Sequence, residues 1–263
     1  MIVQTVDLCD YISIRPSGKF GINVVCDKKI ESLFENCAYI AAKTFFDFIK
    51  KNKNIEKNIG VNIEIEKNIP INSGLGGGSA DAAAVIFALN KIFNCNLELC
   101  QLVDLAFKIG SDVPLFLTGG TMRIRGCGNK IEKIKPIKNC NILIVKPNFD
   151  ISTKKAYEIY DDKILDSEKR NNEEDSRMSS LLNSIEIGEN DEIFKSTFND
   201  FEKVMSQEDT SYRLTGSGSA MFRMFSNEFQ AKNNYERMKD LNKEVFLCKP
   251  INYGVEIIED SWN

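Results

Sequence analysis

Histidine is absent from all 263 residues. That removes Ser-His-Asp and Cys-His centres, together with HExxH zinc chemistry, from this chain. Any general base must be Asp, Glu, Lys, Cys or Tyr. No CxxC pair occurs among the eight cysteines, at 9, 26, 37, 95, 100, 127, 140 and 248. Cys95 and Cys100 stand without a second pair, a weak metal signal. Positive charge is not in excess: 34 Lys and Arg face 38 Asp and Glu, for a net charge of −4. Nucleic acid and anionic membrane are therefore poor partners. The longest apolar run, Ala82 to Leu89, falls far short of the ~20 residues of a membrane span. The first residues carry no basic stretch followed by an apolar one, so no targeting segment is visible. These absences imply a reduced, soluble protein of the cytoplasm or a plastid-type stroma, its cysteines acting as small hydrophobes.

What is present is ordinary globular composition, 43% hydrophobic and 27% charged, enough for one or two domains at about 150 residues each. Partial alternation over 2–8 and 10–15 predicts two strands joined by a tight turn. Apolar residues from Leu33 to Ile49 recur at three- and four-residue spacing, predicting a helix over 32–51 with Ser32 as its cap. Val61, Ile63 and Ile65 alternate with polar residues as in a half-buried strand. Helices are expected over 79–93 and 98–109, and a buried strand over 141–146. Residues 161–180 are rich in both charges and read as an exposed loop or mobile insertion. Helix 191–206, strand 211–214, strand 220–225, helix 227–240 and strand 244–248 complete the reading, with the change in texture near 138 as the domain boundary.

The segment Pro70, Ile71, Asn72, Ser73, Gly74, Leu75, Gly76, Gly77, Gly78, Ser79, Ala80 is the most informative. Its glycines let the backbone approach a ligand, and it opens onto an Ala-rich helix whose first amides are unpaired. That combination suits an anion, most naturally phosphate. The loop is neither a Walker A sequence, which ends Gly-Lys-Ser/Thr where this one ends Gly78-Ser79-Ala80, nor the dinucleotide fingerprint, which needs glycine at 79 where serine stands.

The pattern P-x-x-x-G-L-G-G-G-S-x-D-A-A resembles the ATP loop of the GHMP small-molecule kinases, most closely the branch serving non-mevalonate isoprenoid synthesis. Gly110-Ser-Asp112-Val-Pro114 resembles the family's G-A-D-V-P segment. Val145-Lys-Pro147 with Ser152 to Tyr157 resembles its substrate-side loop, and Leu214 to Phe222 its C-terminal glycine motif. The resemblance implies an α+β, two-domain fold, with a ribosomal protein S5 domain 2-like domain over 1–138 and a ferredoxin-like domain over 139–263. It implies ATP with Mg2+, and a small-molecule acceptor, a cytidine-diphosphate-linked methylerythritol phosphorylated on its 2-hydroxyl. Asp112 takes the place of the catalytic aspartate. Asn36 and Lys67 match positions on the adenine side, and Ser79 stands where a hydroxyl can meet Mg2+ or phosphate. Tyr157, with Tyr160 as the alternative, matches the aromatic against cytosine. Gly216, Ser217 and Gly218 offer backbone amides near phosphate or substrate. A solvated lysine, a helix-surface asparagine, a capping aspartate and a plain hairpin turn are the structural alternatives. The oligomeric state is left open between monomer and weak homodimer.

Two family segments, P-A-K-x-N-L and D-G-Y-H, have no counterpart in residues 1–15. They carry a lysine beside the aspartate and a Tyr-His pair at the cytosine. Either a start codon assigned too late or a shortened paralogue accounts for this, and an uncovered sheet edge or core face is expected with either. A nucleotide-binding protein without catalysis, and a kinase for another alcohol, are the competing functions.

Overall fold

The computed structural model describes residues 1–28, 36–53, 60–126, 128–149, 151, 156–160, 170–203, 211–241 and 244–259. Strands β1 (Ile2–Gln4), β2 (Tyr11–Ser17) and β3 (Gly21–Cys26) lead to helix α1 (Cys37–Lys53) and strand β4 (Gly60–Glu66). Helices α2 (Gly77–Ile92), α3 (Leu99–Phe107) and α4 (Val113–Thr118) follow, then β5 (Thr121–Arg125), β6 (Lys130–Lys133) and β7 (Asn141–Lys146). The remainder is α5 (Arg170–Ile187), α6 (Asn190–Ser196), β8 (Arg213–Leu214), β9 (Met221–Phe225), α7 (Glu228–Lys239) and β10 (Glu244–Cys248).

The alternation in β4 is what the sequence predicts: Val61, Ile63 and Ile65 are buried while Glu64 and Glu66 are exposed. β4 lies between β2, antiparallel, and β3, parallel. Its inner face packs on α1 and α2, where Ala38, Ala41, Phe45 and Ile49 meet Ala82, Ala83, Ile86 and Leu89, all fully buried. The alanines let the two helices approach closely, and each large apolar side chain buried contributes about 1.5–3 kcal/mol. α2 is thereby fixed with its N-terminus at the end of the sheet.

β10-β7-β9-β8 form an antiparallel sheet. Numbered within this unit the order is fourth, first, third, second, the ferredoxin-like arrangement. β7 is its buried centre at every residue, and Leu143 and Val145 pack with Phe225 and Ala231. After β10 the chain returns across the first unit: Ile251 N donates to Thr5 O at 2.9 Å and Val255 N to Phe116 O at 2.9 Å.

Four sequence expectations are corrected. β1 and β2 are not a hairpin: β1 pairs with β5 and β2 with β4. Both are edge strands, each pairing with a strand distant in the sequence. The cap of α1 is Asn36, whose Oδ1 accepts from Ala38 N at 2.8 Å and Tyr39 N at 3.4 Å; Ser32 lies outside the described residues. Residues 170–180 are helix, the first part of α5. Leu181 and Ile185 dock into the core near β7 and β9, and this anchorage carries a polar first half that propensity alone leaves undecided. The helix expected over 191–206 is instead the short α6 and a 3-10 turn at Asp200–Lys203.

The expectation that the cysteines act as small hydrophobes fits three of them and not Cys9 and Cys100, which are exposed. Cys95, Cys140 and Cys248 are buried, and burial pushes the Cys140 thiol up to about 11 and Cys248 to about 12. Both stay protonated and inert.

Candidate active site

Between β4 and α2 the chain makes the glycine loop, and the turn between β8 and β9 locks into it. Ser73, buried, donates its Oγ to Pro70 O at 2.7 Å and so closes the loop on itself. Gly74 takes φ +76, and a Cβ there would fall 2.5 Å from Thr215 O and 2.8 Å from Gly218 N. A Cβ on Gly216 would fall 2.6 Å from Gly74 O. Ala220 N donates to Ser73 O at 3.0 Å. The two glycine segments interlock backbone to backbone, which no side chain permits at either position. Gly76 precedes α2 with φ +74, backed by the Phe116 ring of α4.

The first helical hydrogen bond at this end runs from Ala80 N to Gly76 O, 2.9 Å. The amides of Gly77, Gly78 and Ser79 precede it and lack an intrahelical partner. With the positive end of a 16-residue helix dipole, they make an anion site. Gly78 is exposed and Ser79 half-buried.

Beneath this turn lies a buried charge cluster. Lys67 Nζ donates to Asp81 Oδ2 at 2.8 Å and to Asp10 Oδ2. Asp10 Oδ1 accepts from Asn68 N at 2.7 Å and Ile69 N at 2.8 Å. Burial pushes Asp81 up to about 7, against the pull of Lys67. Burial alone would lower the Lys67 ammonium, but the two carboxylates outweigh it and raise its pKa. Lys67 is therefore no solvated lysine.

Asp112 is exposed at the start of α4, and its side chain makes no capping bond there. Ser111 Oγ donates to its Oδ1 at 3.4 Å. Asp112 lines the same cleft, about 2480 Å³, as Asn36, Lys67, the loop 70–80, Tyr157 and Gly216. Tyr157, in the helical residues 156–160, is 54% exposed and sets its ring edge-on to Phe201, with centroids 5.0 Å apart. Tyr160 meets the same ring at 5.3 Å. Ser217 and Gly218 are buried in the turn, and Gly216 is exposed. Ser152 and Thr153 lie outside the described residues. Half-buried Ile12 and Ile14 of the edge strand β2 also line the cleft, with Met122 and Ile124 of β5 buried beside it. No helix among the described residues is long and apolar enough to cross a membrane.

Residues 36–120 match the model of the GHMP kinases N terminal domain. A protein of Clostridium botulinum (strain Alaska E43 / Type E3), "4-diphosphocytidyl-2-C-methyl-D-erythritol kinase", is 34% identical over 95% of this chain and 90% of its own length. The chain belongs to the GHMP kinase family. A protein of the same name from Caldicellulosiruptor bescii is 38% identical over 94% of the chain and 87% of its own length. Among solved structures, a 4-(cytidine 5'-diphospho)-2C-methyl-D-erythritol kinase superposes with TM-score 0.72 at 22% identity, covering 95% of this chain and 88% of the other. A homoserine kinase from Cytophaga hutchinsonii superposes with TM-score 0.77 at 19% identity, covering 96% and 90%. The fold is thus the two-domain one of GHMP kinases, and it serves kinases with different names. In this GHMP kinase the family match runs from Asn36 through the loop to Gly120, while Tyr157 and Gly216 lie beyond it.

Sequence reasoning missed Asp10 and Asp81 as partners of Lys67. Asp81 had a signal, a lone charge inside the alanine run of α2; Asp10 had none.

Proposed function

We propose that the chain transfers the γ-phosphoryl group of ATP to the 2-hydroxyl of 4-diphosphocytidyl-2-C-methyl-D-erythritol. The observation that carries this reading is the identity of 34–38% to kinases of that name across about 95% of the chain. The cleft supports it, since an anion site and an exposed carboxylate share one wall. In this mechanism the amides of Gly77 to Ser79 hold the ATP phosphates, and the loop from Pro70 to Ala80 keeps water from them. The acceptor oxygen attacks the γ-phosphorus, its proton passes to the Asp112 carboxylate, the bond to the β-phosphate bridging oxygen breaks, and ADP leaves. Asn36 borders the base end of the nucleotide, Lys67 lies under Gly77 of the phosphate turn, and Tyr157 stacks on cytosine. Gly216, Ser217 and Gly218 frame the acceptor side of the phosphates.

No group of three His, Cys, Asp or Glu that could hold a metal occurs among the described residues. The Ser79 hydroxyl would help hold a Mg2+ ion brought in with ATP, an ion that takes few protein ligands and would supply charge neutralisation. The same reading divides the chain at 138/139, just before β7 opens the ferredoxin-like unit.

Incubating the 263-residue protein with Mg-ATP and the cytidylated alcohol, and following product by phosphorus NMR, tests the reading. A new phosphomonoester signal is expected, with none when the uncytidylated alcohol replaces the acceptor. ATP binding without product would overturn the kinase assignment and leave a nucleotide-binding protein.

A further inference from the structure

Lys146 ends β7 and is 4% exposed, a costly place for an ammonium group unless it is fully bonded. Its Nζ donates to Pro147 O at 2.9 Å and Phe149 O at 2.9 Å, so the side chain curls over the turn that follows its own strand. The Phe149 carbonyl accepts a second bond, from Ser219 Oγ at 2.7 Å, and Ser219 is 1% exposed. Ser219 belongs to the glycine turn. Its neighbour Ala220 donates through its amide to Ser73 O in the phosphate loop, at 3.0 Å.

A continuous hydrogen-bonded path, buried at Lys146 and Ser219, therefore joins three segments. It runs from the turn after β7, which feeds the helical residues bearing Tyr157, through the glycine turn, to the loop that opens α2. Neither Lys146 nor Ser219 lines the cleft, so neither touches substrate. Their effect passes through the Phe149 carbonyl. An ammonium and a hydroxyl converging on one carbonyl oxygen fix the turn far more tightly than one neutral bond does. A cleft that must bring an acceptor hydroxyl within reach of a phosphoryl group depends on such tuning.

We propose that Lys146 and Ser219 are positioning residues that together clamp the Phe149 carbonyl, holding the acceptor wall of the cleft in register with the phosphate loop. The inference rests on the proposed acceptor site around Tyr157, and its test separates the two.

Lys146→Met, Lys146→Arg, Ser219→Ala and the double variant Lys146→Met/Ser219→Ala are compared in steady-state turnover and amide exchange. Each single loss is expected to raise KM for the cytidylated alcohol about 10-fold or more, with KM for ATP changed less than about 2-fold. The double variant is expected to match the worse single, because both act on one oxygen. Lys146→Arg should recover part of the loss. In the absence of any substrate, amide exchange should quicken together over 145–151 and 214–221 in either single variant, while α2 keeps its protection.

Equal rises in both KM values, multiplying effects in the double variant, or exchange confined to one segment would overturn the clamp. If Lys146→Met does not fold, Ser219→Ala and its exchange pattern decide alone. A wild-type protein without turnover would overturn the acceptor assignment, yet the exchange experiment would still decide whether the clamp exists.

Discussion

The N-terminal half of α2 and the start of α4 each carry an aspartate beside the same cleft, and they are built in opposite ways. Asp81 is 6% exposed, is paired with Lys67, and sits at a pKa pushed up to about 7 by burial. Its Oδ1 is buried with no hydrogen-bond partner among the described residues. Asp112 is exposed, makes no capping bond to α4, and meets Ser111 Oγ at 3.4 Å. A carboxylate taken out of water and neutralised by an ammonium holds structure together. One left at a cleft edge keeps its lone pairs for an incoming hydroxyl. A perturbed pKa often marks a catalytic group, but in the proposed mechanism the buried, perturbed Asp81 takes the structural role.

The comparison breaks most visibly at Asp112. Asp112→Asn is expected to lower kcat by roughly 10²- to 10⁴-fold. Nucleotide affinity by equilibrium titration, and the melting temperature, should stay near wild type. A second test removes the ammonium from between the buried carboxylates. Lys67→Met should cost about 3–5 kcal/mol in urea unfolding, because two buried charges lose their counter-ion. A cost under about 1 kcal/mol would mean that the cluster is not structural.

Backbone geometry sharpens the contrast next. Gly74→Val places a Cβ against Thr215 O at a φ of +76, and a loss of about 1–3 kcal/mol is expected, with weaker ATP binding. Gly18→Ala, which meets nothing within 4 Å, should stay within about 0.5 kcal/mol.

The smallest effect is on pH dependence. Asp81 has a raised folded pKa, so the native state keeps a proton that the unfolded chain releases above the ordinary carboxylate value of 3.8. Its contribution is fully present below about 4 and is lost as pH rises through about 7. The raised Lys67 contributes in full throughout this window and loses its contribution only above the ordinary lysine value of 10.5. Asp81→Asn should therefore gain stability relative to wild type between pH 5 and pH 8. A constant difference across that range would contradict the burial argument.

What was legible in the sequence was local. The glycine loop, α2, the alternation in β4 and the buried run of β7 are each written in adjacent residues, and the family resemblance set Asp112 apart. What was illegible is carried by distance in the chain. Lys67 finds Asp10 across 57 residues and Asp81 across 14, and nothing at position 10 announces that meeting. β1 and β2 read as a hairpin because strand pairing is non-local and a short strand does not name its partner. The charged stretch over 170–180 reads as a loop because its helix is anchored by Leu181 and Ile185, beyond its own residues. Asn36 was singled out for the nucleotide, and the structure gives its Oδ1 to the cap of α1, a task visible only once the helix start is fixed.

The pH dependence of kcat in wild type, Asp81→Asn and Asp112→Asn tests the division of labour most directly. A base must be ionised to accept the hydroxyl proton, so the rate falls toward acid pH on the base's own titration. The account predicts that this acid limb persists in Asp81→Asn and disappears, with most of the rate, in Asp112→Asn. An acid limb abolished by Asp81→Asn and retained by Asp112→Asn would make the buried aspartate the base and contradict the account.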